Sequence, residues 1–169
     1  MDSLHQEFSQ FIVTLEKRLQ EVGITLADHS IDHVCFRIAN EEAFHKYFEL
    51  FKENSILYTR KLYRERAFCM FTLRQPFQYK EQAIPYVELS QPGGSDNYDT
   101  GFQHIELHIP QGVADLVKDA SKLGDFLFTD KYGEETYLKW EDKLVVKTTA
   151  VPLVTKSLLF DNPEITLQS

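Results

Sequence analysis

Two histidines of this chain, His33 and His104, occupy the same place in two similar heptapeptides. Residues 32–38 read Asp-His-Val-Cys-Phe-Arg-Ile, and residues 103–109 read Gln-His-Ile-Glu-Leu-His-Ile. Each segment has apolar residues at its third, fifth and seventh positions, the alternation of a β-strand with one apolar face. The opposite face carries the histidine and other polar side chains, whereas a strand buried on both faces is continuously apolar. We therefore expect both histidines to border a solvated cleft.

The elements that would position the first histidine lie between residues 2 and 90. Apolar residues spaced by three and four predict an amphipathic helix over 2–22, which Gly23 would end. This helix would pack on the rest of the protein or serve as a dimerisation arm. The remaining predicted elements are a strand beginning near Asp32, a helix over 41–53 after a cap-like Asn40, and strands at about 55–62, 66–74 and 84–90. Gln75-Pro76 is expected to end the strand over 66–74.

The same order of elements begins again after a turn-rich linker over residues 91–97. The predicted elements are a strand over 102–109, a helix over 112–123, and strands at about 125–130, 135–140 and 143–149. The order strand, helix, strand, strand, strand is thus used twice, and residues 86–90 align with residues 145–149. Such a repeat decides the architecture. The last twenty residues are expected to form an irregular tail.

Two βαβββ modules form the architecture of the vicinal oxygen chelate superfamily, which includes glyoxalase I and the extradiol dioxygenases. Over roughly residues 30–150 the chain resembles the bacterial YecM family of that superfamily, through segments 32–37, 87–89 and 101–110. The resemblance implies an α+β fold in which two βαβββ modules form a curved mixed sheet around a cleft, with an added N-terminal helix. We expect a single domain over 1–169, with a helical extension over 1–29 and modules over 30–92 and 100–152.

The resemblance also implies a metal site in the cleft, with ligands from the first and last strands of each module. The matching positions are His33, Glu88, His104 and a fourth now held by Lys147. Two imidazoles and a carboxylate suit zinc, iron, manganese or nickel and leave coordination positions open for substrate or water. An ammonium cannot ligate a metal ion. Lys147 is therefore expected to hold an anionic substrate or an acidic neighbour.

Glu106 shares the polar face of its strand with His104 and His108. These two histidines lie about 13 Å apart along the strand, at ~3.3 Å per residue, which is too far to share one ion easily. Glu106 is therefore expected to orient a ligand histidine or to act as a general base. Glu88 is the other carboxylate that could move a proton. Because burial of an unpaired charge is expensive, Glu88 needs a partner between its apolar neighbours.

Two arginines are candidates for substrate binding. Arg37 faces the same way as His33, so it either reaches the cleft or pairs with an acid at the surface. Arg66 begins a predicted strand in a basic stretch, and its planar guanidinium suits a carboxylate or phosphate. Cys35 and Cys69 are expected to be buried, reduced thiols that behave as small apolar residues.

Composition narrows the class of protein. The 169 residues carry 18 basic and 26 acidic side chains, a net charge of −8, which argues against a nucleic-acid binder. No apolar run approaches the ~20 residues of a membrane span, and the polar N-terminus does not resemble a signal peptide. We expect a cytoplasmic monomer or homodimer.

Three functions are compatible with these patterns. The first is a metal-dependent enzyme of isomerase, lyase or dioxygenase type, acting on a small oxygen-rich or anionic substrate. The second is a non-catalytic protein of the same fold that binds or sequesters a small molecule. The third is an interaction protein that uses its N-terminal helix.

Overall fold

The computed structural model describes residues 1–63, 66–93, 98–109, 127–129, 136–149 and 164–167. Within these residues the chain forms one mixed sheet of nine strands together with two α-helices and one 3₁₀ helix. The elements are α1 (Asp2–Glu21), the 3₁₀ helix (Leu26–Asp28), β1 (Ser30–Arg37), α2 (Glu41–Glu53), β2 (Ser55–Tyr63), β3 (Arg66–Tyr79), β4 (Gln82–Ser90), β5 (Gly101–His108), β6 (Leu127–Thr129), β7 (Thr136–Lys139), β8 (Val145–Thr149) and β9 (Glu164–Leu167).

The sheet repeats one topology on either side of its centre. Its strand order is β6-β7-β8-β5-β1-β4-β3-β2-β9, and the central pair, β1 and β5, is antiparallel. In each half the first strand runs parallel to the last, with Cys35 opposite Glu88 and Glu106 opposite Lys147. This register confirms the alignment of the two modules that the sequence predicts. The helix predicted over 112–123 lies outside the described residues.

The helix α1 covers both halves of one sheet face. Its buried residues are Leu4, Phe8, Phe11, Ile12, Leu15 and Leu19. The Phe8 ring stacks on Phe77 of β3 at 4.7 Å between centroids, and Phe11 stacks on Phe102 of β5 at 5.7 Å. The apolar face of α1 is therefore packed against its own sheet.

Gly23 ends α1 as the sequence predicts. Its φ of 85° lies in the left-handed region that favours glycine. The amide of Gly23 donates to the carbonyl of Gln20, and the amide of Ile24 donates to that of Leu19, which is the Schellman pattern of hydrogen bonds.

The helix α2 packs on the same sheet face as α1. Asn40 caps it, since the amide of Ala43 donates to Asn40 Oδ1 at 2.9 Å. Phe51 of α2 meets Phe36 of β1 and Phe71 of β3, with ring centroids 5.5 and 5.6 Å apart. Both described helices thus cover the apolar face of the strands, and the polar residues of β1 and β5 lie on the other face.

The prediction that Gln75-Pro76 ends the third strand is wrong, because β3 continues to Tyr79. Pro76 lies within a register shift between Thr72 and Phe77, where β3 and β4 make no regular pairs. β2 pairs with β3 only as far as Leu73, so Pro76 is not required to donate to either neighbour.

The prediction of an irregular C-terminal tail is also wrong in part. Glu164–Leu167 form β9, an antiparallel edge strand beside β2 with Thr59 opposite Ile165. This pairing joins the end of the chain to the first module, a contact that local sequence patterns cannot show.

Candidate metal centre

The three predicted metal ligands meet where the two modules join. His33 lies on β1, Glu88 on the adjacent β4 and His104 on the adjacent β5, all on the face away from the two described helices. All three side chains are buried, and one ligand atom of each lies within 4.8 Å of those of the other two. The strand order β5-β1-β4 explains this convergence, because it makes neighbours of residues far apart in sequence.

A β-bulge orients His33. Ile31 pairs with Leu107 and His33 pairs with Glu106, so two residues of β1, Asp32 and His33, oppose one step of β5. A bulge of this kind re-aims a side chain. Here His33 Nδ1 donates to Asp32 Oδ2 at 2.8 Å. This hydrogen bond directs the second ring nitrogen, Nε2, toward the cluster, as a carboxylate does behind many metal-bound histidines.

A second β-bulge, on β5, orients His104 in the same way. Cys35 pairs with His104 while Phe36 pairs with Phe102, so Gln103 is the additional residue. His104 Nδ1 contacts Gln103 Oε1 at 2.5 Å, and Gln103 Nε2 donates to the carbonyl of Lys143 at 3.0 Å. That second bond turns the amide oxygen toward His104. In both modules, therefore, the residue directly before the histidine lies in a bulge and holds its Nδ1.

Glu88 is held through one of its two carboxylate oxygens. The Cys35 thiol and the Ser90 hydroxyl each donate to Oε1 at 3.2 Å. The other oxygen, Oε2, lies 3.5 Å from His33 Nε2. Burial raises the pKa of the Cys35 thiol well above its ordinary value, so this group remains a donor. Oε2 is the oxygen that faces the histidines.

The Nε2 atoms of His33 and His104 are buried and have no hydrogen-bond partner. Most buried polar atoms are paired, so two buried ring nitrogens without a hydrogen-bond partner beside one carboxylate require an explanation. A divalent ion fits them, because neutral imidazole nitrogens and a carboxylate oxygen are its ordinary ligands. The residues present therefore fit the metal that the family resemblance implies, and nothing in the geometry selects among zinc, iron, manganese and nickel.

The pKa values of the three side chains are shifted in different directions. Burial, and then the positive charge of Lys147, hold the pKa of His104 well below its usual value, so this imidazole is neutral. Burial alone would lower the pKa of His33, but its hydrogen bond to Asp32 and the negative charges of Glu88 and Glu106 raise it to about 9. Without a metal ion, His33 therefore carries a proton at neutral pH.

Glu88 is ionised in this environment. Burial would raise its pKa, yet contact with His33 and the positive charge of Arg37 outweigh that effect and hold the pKa well below the usual range. The cluster thus keeps a negative ligand in the interior of the protein, which is stable only beside compensating positive charge.

The remaining predicted site residues on β1, β5 and β8 lie around this cluster. Glu106 is buried, and its Oε2 lies 3.7 Å from His33 Nε2, outside the group of three. Arg37 and Lys147 are half-buried, and their charges act on the buried groups of the cluster. The guanidinium of Arg37 also lies 5.3 Å from the centre of the Tyr98 ring. The roles predicted for these residues stay predictions.

Arg66 and His108 are not brought to the cluster. The Nε and Nη2 atoms of Arg66 donate to the carbonyl of Gln91 at 2.9 and 2.7 Å. Along β3, Arg66 stands four residues from Met70, the residue opposite Glu88, which is about 13 Å at ~3.3 Å per residue. His108 pairs with Ser30 at the far end of β5.

Sequence reasoning missed three residues of the site, namely Asp32, Gln103 and Ser90, and it also missed the hydrogen bond that Cys35 donates. A partial signal exists for the first two. Each directly precedes a repeated histidine, and each has a side-chain oxygen that can accept a hydrogen bond from imidazole. In a strand without a bulge, the residue before each histidine would point to the opposite face of the sheet. Alternation alone therefore hides its contact with the histidine ring.

A sheet whose two halves repeat one strand order, with two histidines and a glutamate where they join, is typical of the glyoxalase-like, vicinal oxygen chelate class. Within that class the chain belongs to the YecM protein family, whose family model matches residues 1–168. The expected family and the α+β fold are thereby confirmed.

Individual relatives are distant. Protein YecM of Escherichia coli (strain K12) is 23% identical over 110 residues, and an uncharacterized protein of Haemophilus influenzae is 21% identical over 110 residues. Each match covers 65% of this chain and 58% of the relative, so it spans less than two thirds of those proteins.

A solved structure described as structural genomics protein EC4020 has the same fold. It superposes with a TM-score of 0.77 at 20% identity, covering 91% of this chain and 89% of the other. In the part of the chain that the structure describes, no helix is long and apolar enough to cross a membrane.

Proposed function

We propose that this protein binds a divalent metal ion through His33, Glu88 and His104 and is a metal-dependent enzyme. Its substrate would be a small oxygen-rich or anionic molecule, and its reaction an isomerisation, an elimination or an oxygen insertion. The cytoplasmic location, the monomeric or homodimeric state and the absence of a nucleic-acid partner belong to the same proposal. The observation that carries it is the pair of buried, unpaired Nε2 atoms beside the ionised Glu88.

Apart from the metal ion, the reaction would need oriented histidine ligands and a group that moves a proton, and the chain supplies candidates for both. A divalent ion bound there would supply a Lewis acid that stabilises negative charge developing on a substrate oxygen. Asp32 and Gln103 hold the two histidines in one tautomer, with Nδ1 protonated and Nε2 directed at the cluster. Glu106 would take or return a proton, and its position 3.7 Å from His33 Nε2 but outside the group of three supports this role.

Elemental analysis of the purified, untagged protein tests the metal site. We expect close to one divalent ion per chain, and its loss in the double variant His33→Ala/His104→Ala. The matched control is His29→Ala/His45→Ala, which removes the same number of imidazoles from positions outside the cluster. A well-folded wild-type protein without measurable affinity for zinc, iron(II), manganese or nickel would refute the proposal.

Enzymatic activity is tested separately from metal binding. Glu106→Gln keeps the size of the side chain but removes its ability to move a proton. We expect this variant to retain the metal and to lose at least about a hundredfold in turnover of whichever substrate is found, the typical contribution of a general base. If Glu106→Gln leaves every metal-dependent activity unchanged, the protein binds its ligand without the proton transfer proposed here.

A further inference from the structure

A cavity of about 410 Å³ lies between α1, the segment that leads into β5 and the turn between β7 and β8. Of the described residues that line it, none is a candidate metal ligand, although Gln103, which contacts His104, borders both sites. Sites for small molecules usually have volumes of ~300–1,000 Å³. The cavity is therefore large enough to hold a ligand of its own.

Glu7 of α1 brings a half-buried carboxylate to this cavity. Its Oε1 lies 3.1 Å from the point where a Cβ atom on Gly101 would stand, so the carboxylate lies against bare backbone at the start of β5. Burial raises the pKa of Glu7, and the backbone amide of Phe102 offsets only part of that effect. Among the residues that the structure describes, no cationic side chain pairs with Glu7. The charge of its ionised form is therefore poorly compensated.

The other charged side chains that line the described part of the cavity are more exposed to water. Asp142 pairs with Arg18 at 2.9 Å, at the protein surface. Asp99 and Lys143 are exposed, so water screens their charges. Glu7 is thus the lining residue whose charge acts most strongly on a molecule in the cavity, since screening is weakest where a charge is partly buried.

Aromatic side chains form another part of the wall. Phe11 of α1, Tyr98 and Phe102 all line the cavity. Aromatic rings attract organic cations, and quaternary ammonium groups in particular bind among such rings. A hard metal cation would instead require several oxygen ligands in place of the rings. A carboxylate beside aromatic side chains therefore favours an organic cation.

We infer that this cavity binds a small organic ammonium ion, whose charge Glu7 compensates and whose alkyl groups contact the aromatic side chains of the wall. This inference does not depend on the metal site. An uncharged molecule of the same shape would fill the same space but would leave the charge of Glu7 uncompensated. An anion would be repelled by Glu7.

Calorimetric titration with choline, and with its uncharged isostere in which carbon replaces the ammonium nitrogen (dimethylbutanol), tests the inference. Wild type is expected to bind choline at least about tenfold more tightly than the isostere. Glu7→Gln is expected to remove this preference, whereas Lys143→Met is expected to strengthen choline binding because it removes a like charge. Glu42→Gln, on α2 and away from the lining residues, is the matched control and should behave as wild type.

A second variant tests the location. Gln10 lines the cavity from an exposed position on α1, so Gln10→Trp should fill the space and abolish choline binding while the chain stays folded. Because Gln103 borders both sites, each titration is run with and without a chelator. Choline binding that disappears with the metal ion would refute the assignment to this cavity. Wild type that binds both compounds equally or neither, or Glu7→Gln with an undiminished preference for choline, would refute the ammonium site itself.

Discussion

At the scale of single residues, the carboxylate of Asp32 would make His33 a better metal ligand than an isolated imidazole. It accepts from Nδ1, fixes the ring and raises the electron density on Nε2. We expect Asp32→Asn to lower affinity for zinc by about ten- to a hundredfold, because the amide keeps a hydrogen-bonding oxygen but loses the charge. Competition with a chelating dye measures this loss. Asp28→Asn, an acid outside the cluster, should leave the affinity unchanged, and an equal effect of both changes would argue against the role of Asp32.

Two substitutions of Gln103 test whether the group that contacts Nδ1 of His104 also sets the affinity for zinc. Gln103→Leu removes the oxygen that contacts His104 Nδ1, whereas Gln103→Glu replaces it with a carboxylate like that of Asp32. We expect zinc affinity to rank Gln103→Glu above wild type and wild type above Gln103→Leu, with steps of roughly tenfold. The same competition assay gives the ranking, and identical affinities for Glu and Leu at this position would show that His104 needs no such support.

At the scale of elements, the helix α1 stabilises the sheet through its aromatic side chains. Phe8 is 1% exposed and contacts Phe77 and Phe102, one ring from each module. Phe8→Ala should lower the free energy of unfolding by about 3–5 kcal/mol. Val13 on the same helix is 48% exposed, and Val13→Ala should change it by about 0.5 kcal/mol or less. Urea denaturation measures both, and equal effects would mean that α1 contributes little through packing.

The elements also show how much the sequence could predict. Alternation along β1 and β5 was sufficient to place His33 and His104 on one face, and the repeat was sufficient to align Glu88 with Lys147. The bulges were not predictable from either strand alone, because a bulge is a mismatch of register between two strands. The same reason applies to β9, whose pairing with β2 depends on the partner strand and not on local composition.

At the scale of the whole molecule, the cluster of His33, Glu88 and His104 lies where the two modules join and takes side chains from both. β1 and β4 belong to the first module and β5 to the second, so a bound ion would connect strands from both. An ion at free concentration c that binds only the folded chain stabilises it by RT ln(1 + c/Kd), which grows as the affinity of the site rises. The metal affinity and the stability of the metal-free chain should both depend on the proton that His33 carries.

The pH dependence of stability follows from that proton. The pKa of His33 is raised from 6.5 to about 9 in the folded, metal-free protein, so its favourable contribution is complete below pH 6.5 and is lost as pH rises through 9. We expect the free energy of unfolding of metal-free protein to fall over this window, by roughly 3 kcal/mol in total, and His33→Gln to lose this component of the fall. Urea denaturation in the presence of a chelator measures it.

A metal ion must displace the same proton, so its affinity should change in the opposite direction. Below pH 9 each unit of rising pH leaves about tenfold more His33 unprotonated, and affinity should rise by about that factor. Stabilisation by excess metal should then grow by about 1.4 kcal/mol per pH unit, while the metal-free protein becomes less stable. Denaturation curves with and without nickel between about pH 7 and 8.5 provide the comparison. Metal stabilisation that is independent of pH would show that the ion does not displace the proton of His33.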